Sequence, residues 1–144
     1  MLKEELIIPK EIKEALIKHS QDHAPIESCG YLSGVDNKVI KFYPMTNVDN
    51  SAEHFSFDPK EQFQVVKQAR KDGHKLLSVY HSHPASPARL SQEDIKLFND
   101  PEPVYIIVSL KDNTTDIKGF KINKPNKNDI EIKIVDIKYN GGAL

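Results

Sequence analysis

Two histidines and an aspartate have the spacing of a metal site. Positions 81–84 read His-Ser-His-Pro and directly follow the apolar segment 76–80, which is typical of a buried strand. In a strand, residues i and i+2 point to the same side, so His81 and His83 should project together where the proline ends the ladder. With Asp94 eleven positions further on, they make a set of two imidazoles and one carboxylate. Such a set, with one coordination position open, commonly holds catalytic zinc. The spacing therefore predicts a metal-dependent reaction.

Ser91 and Asp94 have two interpretations, and both are retained. Ser91 followed three residues later by an acidic residue is close to a capping box, with Leu90 and Ile95 at the positions of a hydrophobic staple. Capping alone would explain both residues. A cap also fixes the first helical turn, so it would aim Asp94 at the end of the preceding strand.

Glu27 and Cys29 lie in a short stretch of otherwise apolar or small residues. A carboxylate at the entry of a strand is usually a surface residue, so composition alone gives Glu27 no role. Cys29 is the one cysteine, which excludes an intramolecular disulfide and suits a reducing compartment. We interpret Cys29 as a buried, inert thiol.

The elements that must position these residues alternate between helix and strand. Asp58 can cap the second helix, Pro59 opens it, Glu61 completes a capping box and Gly73 ends it. Its core face should hold Phe63, Val66 and Ala69. The predicted elements are helices from about Pro9, Pro59 and Gln92, and strands at 26–34, 39–43, 76–80, 104–110, 117–122 and 130–137. This αββαβαβββ order predicts an α/β fold, a mixed β-sheet flanked by helices on both faces, as one domain over 1–138 with a flexible tail at 139–144.

Composition and charge exclude several classes of function. The formal net charge of -1 and the absence of a basic cluster argue against a nucleic-acid partner. No apolar run approaches the roughly 20 residues that span a bilayer, and no signal peptide is visible. A zinc deaminase is excluded because its Pro-Cys-x-x-Cys ligands need two cysteines. We expect a cytoplasmic protein without a membrane partner, and homo-oligomer formation is left open.

An upstream Glu followed by His-x-His-Pro-x6-Ser-x-x-Asp resembles the JAMM/MPN (Mov34) metalloprotease family over nearly the whole chain. The resemblance implies one Zn2+ per chain, with His81, His83 and Asp94 as ligands. It also implies that Glu27 is the general acid/base and that Ser91 helps to hold the tetrahedral intermediate. The implied fold is similar to that of cytidine deaminases.

The short segments around the motif resemble the small prokaryotic branch of the family. That resemblance implies a metallopeptidase that cleaves an amide bond at the C-terminal tail of a ubiquitin-like sulfur-carrier protein. In relatives the loop before the second helix borders the cleft, which makes Asn47 and Phe57 substrate-contact candidates. The alternatives are an isopeptidase that removes a ubiquitin-like modifier from protein conjugates, a non-catalytic MPN scaffold and a DNA-associated relative.

Overall fold

A computed structural model of the chain describes residues 4–141, which form seven strands and three α-helices. The strands are β1 (Glu5–Pro9), β2 (Cys29–Val35), β3 (Lys38–Met45), β4 (Lys75–His83), β5 (Val104–Ser109), β6 (Asp116–Asn123) and β7 (Glu131–Asn140). The helices are α1 (Lys10–His23), α2 (Pro59–Lys71) and α3 (Gln92–Leu97).

The seven strands close into a ring in the order β1-β3-β2-β4-β5-β6-β7. β1 runs parallel to β7 over five residue pairs but meets β3 at the single pair Ile7–Lys38. β4 and β5 are parallel, and the remaining neighbours are antiparallel. The predicted mixed sheet is confirmed, whereas its closure was not predicted.

Strand β1 corrects the predicted element order, which began with a helix. Leu6 and Ile8 are buried and Ile7 is half-buried, so both faces of this five-residue strand are covered. A run this short shows no clear period, and its main partner, β7, comes from the other end of the chain. The order therefore gains a strand before α1.

Helices lie against both sides of the sheet, as predicted. Leu16 of α1 packs inside the ring, within a buried cluster contributed by six strands: Leu6, Ile8, Leu32, Val39, Tyr80, Val104, Ile106, Val108 and Val135. Ala69 of α2 packs on the outer side with another cluster, namely Cys29, Tyr31, Tyr43 and Met45. The sheet thus separates an apolar interior from an outer face on which polar chemistry can be placed.

Helix α2 begins as predicted, but Glu61 in its first turn has a different partner. The Asp58 side chain accepts a hydrogen bond from the backbone N–H of Lys60. Glu61 does not complete a capping box, because its carboxylate accepts bonds of 2.8 Å from both the N–H and the hydroxyl of Thr46. The prediction that Phe63 faces the core is wrong, since Phe63 is 69% exposed, whereas Ala69 is buried. Tertiary contacts of α2 set its rotation, which sequence periodicity gives only approximately.

The C-terminal strand extends past the predicted domain end. Tyr139 and Asn140 were assigned to the tail, but they pair with Ile8 and Pro9 of β1. Residues 142–144, the remainder of the predicted tail beyond Gly141, lie outside the described residues. Within 4–141, no helix combines the length and apolarity needed to cross a membrane.

Candidate metal centre and active site

His81 and His83 occupy the carboxyl end of β4 on its outer face. His81 is held on both sides by backbone pairing, with Cys29 of β2 and with Ile107 of β5. Side chains alternate along a strand, so the flanking Tyr80 turns into the ring while both histidines turn out. His81 is fully buried and His83 is 2% exposed. The strand thus brings two imidazoles together in a site shielded from water.

Asp94 reaches the histidines from the first turn of α3. A capping box fixes that turn, as predicted: the N–H of Asp94 donates to Ser91 Oγ, and the N–H of Ser91 donates to Asp94 Oδ2, both over 3.0 Å. Asp94 Oδ1 then lies 3.2 Å from His81 Nε2, and Oδ2 lies 3.1 Å from His83 Nε2. The cap therefore aims the carboxylate at the strand end.

The three side chains have the spacing of ligands around one tetrahedral ion. The Nε2 atoms of His81 and His83 are 3.1 Å apart, and each lies 3.1–3.2 Å from an oxygen of Asp94. Donors at zinc bond lengths of about 2.0–2.1 Å lie roughly 3.3–3.4 Å from one another in a tetrahedron. The observed separations are close to that edge length, so the residues fit the ion that the family resemblance implies.

The protonation of His83 also favours a cation between these groups. Its Nδ1 lies 2.8 Å from the carbonyl oxygen of Pro87, which can only accept, so Nδ1 carries the hydrogen. In the neutral ring, Nε2 then presents a lone pair to Asp94 Oδ2, which is also an acceptor. Two facing acceptors repel unless a proton or a metal lies between them. A bond from the second ring nitrogen to a carbonyl is how proteins orient metal-binding histidines.

Electrostatics distinguishes the members of the cluster. Burial lowers the pKa of His81. Burial also opposes charge on His83, but its bonds to Asp94 and Pro87 outweigh this effect and raise the pKa of His83. Burial would raise the pKa of Asp94, yet hydrogen bonds from His81 and His83 hold that pKa well below its usual range. Asp94 is therefore a carboxylate at all ordinary pH values, as a metal ligand must be.

Glu27 faces this cluster from the segment just before β2. One atom each of Glu27, His81 and His83 falls within a group whose members all lie within 4.8 Å of one another, a group that could hold a metal ion. The Glu27 side chain is buried, and its Oε1 has no hydrogen-bond partner among the described residues. Burial raises the pKa of Glu27 to about 8. A buried carboxyl group poised near neutral pH, with an open oxygen, can take up and release a proton.

Asn47 and Phe57 lie beside the site but are not equivalent. They form an isolated β-bridge with each other. The side-chain amide of Asn47 is directed at backbone groups of its own loop and of Glu27. Phe57 packs against Tyr31, with ring centroids 4.8 Å apart. Phe57 therefore has the better position for a substrate contact, which stays a prediction for both residues.

Two aromatic residues that sequence analysis missed pack on His81. The ring of Phe55 stacks on the imidazole at 5.0 Å between centroids, and Phe98 meets it edge-on at 5.4 Å. A signal existed for Phe55, because two phenylalanines alternate with polar residues at 54–57. No local signal distinguishes Phe98, which packs here from the residue after α3.

A groove runs along the outer face beside these aromatic rings. It has a volume of about 620 Å³. Aromatic side chains dominate its wall: Tyr31, Phe55, Phe57, Phe98 and Tyr105. Asp100 and Glu102 lie at the same groove and add negative charge. An extended apolar or small-residue segment lying in the groove would contact Phe55 and Phe98, the two rings that cover His81.

Cys29, the first residue of β2, is buried two positions after Glu27. Its exposed fraction is zero, and burial raises the pKa of the thiol to about 12. A thiol that stays protonated is a poor nucleophile. The structure thus agrees with an inert packing role.

Comparisons with known proteins agree with this architecture. The chain is similar to the CysO-cysteine peptidase of Mycobacterium tuberculosis, with 29% identity over 120 residues, covering 81% of this chain and 82% of that protein. It is also similar to the desampylase of Pyrococcus furiosus, with 30% identity over 130 residues, 90% of this chain and 89% of that one. A solution structure of a protein from Desulfitobacterium hafniense superposes with a TM-score of 0.83 at 37% identity, covering 95% of this chain and 94% of that one.

The named relatives are peptidases or desampylases, which supports a hydrolase. Residues 9–123 match the family model described as prokaryotic homologs of the JAB domain, a span that includes every residue of the cluster built above. The chain belongs to this prokaryotic JAB (JAMM/MPN) family.

Proposed function

We propose that this protein is a zinc-dependent peptidase that hydrolyses an amide bond at the C-terminal tail of a ubiquitin-like sulfur-carrier protein. The convergence of two imidazoles, the ionised Asp94 and the buried Glu27 at the end of β4 carries the proposal. His81, His83 and Asp94 would hold the metal, and Glu27 would act as general acid/base. We also keep the predictions that the protein is cytoplasmic and that it has one catalytic domain.

Zinc bound by these three residues would supply Lewis acidity, which in proteins lowers the pKa of water from 15.7 to about 7 and polarises carbonyl groups. The protein's own contribution begins with Glu27. Its open Oε1 can accept a proton from the attacking water and pass it to the leaving amine. No cysteine or serine nucleophile is needed.

Ser91 can serve the reaction without leaving its cap. Its Oγ accepts from the N–H of Asp94, so its own hydroxyl hydrogen remains to donate. A donor to the developing oxyanion often contributes about 2.7–4 kcal/mol. We assign Ser91 this second role in addition to capping.

The aromatic groove supports the choice of an extended tail as substrate. Its wall includes Phe55 and Phe98, whose rings pack on His81, so a chain lying in it would be separated from that imidazole by these two rings. A small ubiquitin-like carrier ends in a flexible tail that contains Gly-Gly, which can enter such a groove where a folded segment cannot. Similarity to the CysO-cysteine peptidase supports the same class of substrate.

The test uses purified protein loaded with one equivalent of zinc and a panel of small ubiquitin-like carriers with C-terminal extensions after Gly-Gly. Mass spectrometry should show release of the extension, and chelation should stop the release until zinc is restored. If zinc binds but no carrier is cut, the substrate assignment is wrong. If the protein takes up no metal, the non-catalytic scaffold alternative is favoured instead.

A further inference from the structure

Glu27 is held by contacts that lie outside the β-ladder. β2 begins at Cys29, so Glu27 precedes the regular strand. Its N–H donates to the carbonyl oxygen of Ser51 over 2.9 Å, and its own carbonyl oxygen accepts from Asn47 Nδ2 over 3.0 Å. Both backbone groups of the proposed base are therefore bound by the loop 46–57.

The amide of Asn47 is the centre of that loop. Besides the Glu27 carbonyl, Nδ2 donates to the carbonyl oxygen of His54 over 3.0 Å, with Ser51 O at 3.4 Å. Its Oδ1 accepts from the N–H groups of Asp49 (3.0 Å) and Ser56 (3.3 Å). The bond to Asp49 is the usual turn made by an asparagine with the residue two positions on. The two Nδ2 bonds are not needed for such a turn.

These two donor bonds link the backbone of Glu27 to the segment that carries Phe55. One holds the backbone of Glu27, and the other holds the residue before Phe55, whose ring stacks on His81. Asn47 is half-buried and the loop offers Glu27 no other side-chain bond to its backbone among the described contacts. A shift of this amide would displace the carboxyl group and the aromatic ring together.

We propose that Asn47 is a positioning residue. It holds Glu27 and Phe55 in place beside the proposed metal ligands and makes no contact with the substrate. The proposal rests on the proposed function for the role of Glu27. Positioning, and not substrate contact, is then the reason that Asn47 matters for activity. Because the metal ligands are held by β4 and α3, loss of Asn47 should leave metal binding intact.

Three variants separate positioning from turn formation and from loop stability. Asn47→Ala removes every bond of the side chain. Asn47→Ser keeps an oxygen that can accept from the N–H of Asp49, as serine does in such turns, but is too short to reach the Glu27 carbonyl. Val48→Ala is the matched control, because Val48 follows Asn47 in the same loop, is 51% exposed and does not line the groove.

We expect both Asn47 variants to lower kcat by about 10- to 100-fold, since misplacing a catalytic group by about 1 Å can cost 100-fold. Zinc stoichiometry should stay at about one per chain, and KM should rise by less than kcat falls, because Phe55 also lines the groove. Val48→Ala should change none of these values. A rise in KM at constant kcat in the Asn47 variants would show substrate contact and overturn the proposal, as would unchanged kinetics.

A readout that needs no substrate keeps this inference separate from the proposed function. Hydrogen exchange at the Glu27 amide, which donates to Ser51 O, should be slow in wild type and Val48→Ala and faster in the Asn47 variants. If wild type cuts no carrier, the proposed function fails while this measurement still tests the positioning role. If Asn47→Ala does not fold, Asn47→Ser supplies the same comparison, and unchanged exchange in it would overturn the proposal.

Discussion

The two halves of the active site are held by different kinds of structure. His81 and His83 lie inside β4, where backbone pairing with β2 and β5 fixes them on both sides. Glu27 lies before β2 begins, and a loop amide and a loop carbonyl hold it. The two proposed histidine ligands are thus part of the sheet and Asp94 is held by α3, whereas the proposed base depends on contacts with one loop and can be altered separately.

Removing a proposed metal ligand that lies within a strand should have the largest effect. His83→Ala removes one of the three proposed ligands. It should reduce bound zinc from about one equivalent per chain to about none, and cleavage should fall to background. Metal analysis after dialysis and a carrier-cleavage assay would check this outcome. Retention of one tightly bound zinc by His83→Ala would contradict the proposed ligand set.

Changing Glu27, the proposed base, should separate zinc binding from turnover. Glu27→Gln keeps the size of the side chain but cannot accept a proton, so kcat should fall by about 10²- to 10⁴-fold while zinc stays bound. Single-turnover cleavage and metal analysis on the same sample would measure both. Loss of zinc in this variant would make Glu27 a ligand and would remove the contrast between the two halves.

Ser91 should show whether the cap also takes part in the reaction. Ser91→Ala removes the cap of α3, at about 0.5–2 kcal/mol of stability, and the proposed oxyanion donor, at about 10²- to 10³-fold in kcat. Ser91→Thr retains a hydroxyl and is the matched control. If Ser91→Ala loses stability but keeps its kcat, Ser91 is a cap alone.

The pH dependence of stability should reveal the burial of Glu27 in metal-free protein. Its pKa is raised from an ordinary 4.5 to about 8, so the folded state favours the protonated carboxyl group. The stabilising contribution is complete below pH 4.5 and is lost as pH rises to about 8. The unfolding free energy of wild type, relative to Glu27→Gln, should therefore fall between pH 5 and 8. Urea titrations with chelator present would measure the difference, and a pH-independent difference would contradict the raised pKa.

The smallest effect should come from the far end of α3. Lys124 Nζ donates to the carbonyl oxygen of Ile95 and to Asn99 Oδ1 at the last turn of this six-residue helix. Lys124→Met should cost about 1 kcal/mol, the usual value of a hydrogen bond, and lower activity only slightly. Lys127→Met, an exposed change in the same loop, is the control for thermal unfolding. Equal melting temperatures for the two variants would show that the bond does not matter.

The sequence by itself determined where the three proposed metal ligands lie on their elements, because local rules govern that placement. The two-residue period of a strand turns His81 and His83 to one side, and a capping box of four residues fixes Asp94. The helices and most strands followed from the same short-range patterns. β1 did not, because five residues carry little periodicity and their pairing depends on β7 at the other end of the chain.

Only the tertiary structure decided the position of Glu27 and of the groups that surround the histidines. It brought Glu27 next to histidines more than fifty positions away and turned the amide of Asn47 toward the Glu27 backbone. It also placed Phe55 on His81 and the Pro87 carbonyl on His83 Nδ1. Apart from the Pro87–His83 contact, which spans four residues, these contacts join segments far apart in the chain, and short-range sequence patterns do not specify which segments meet.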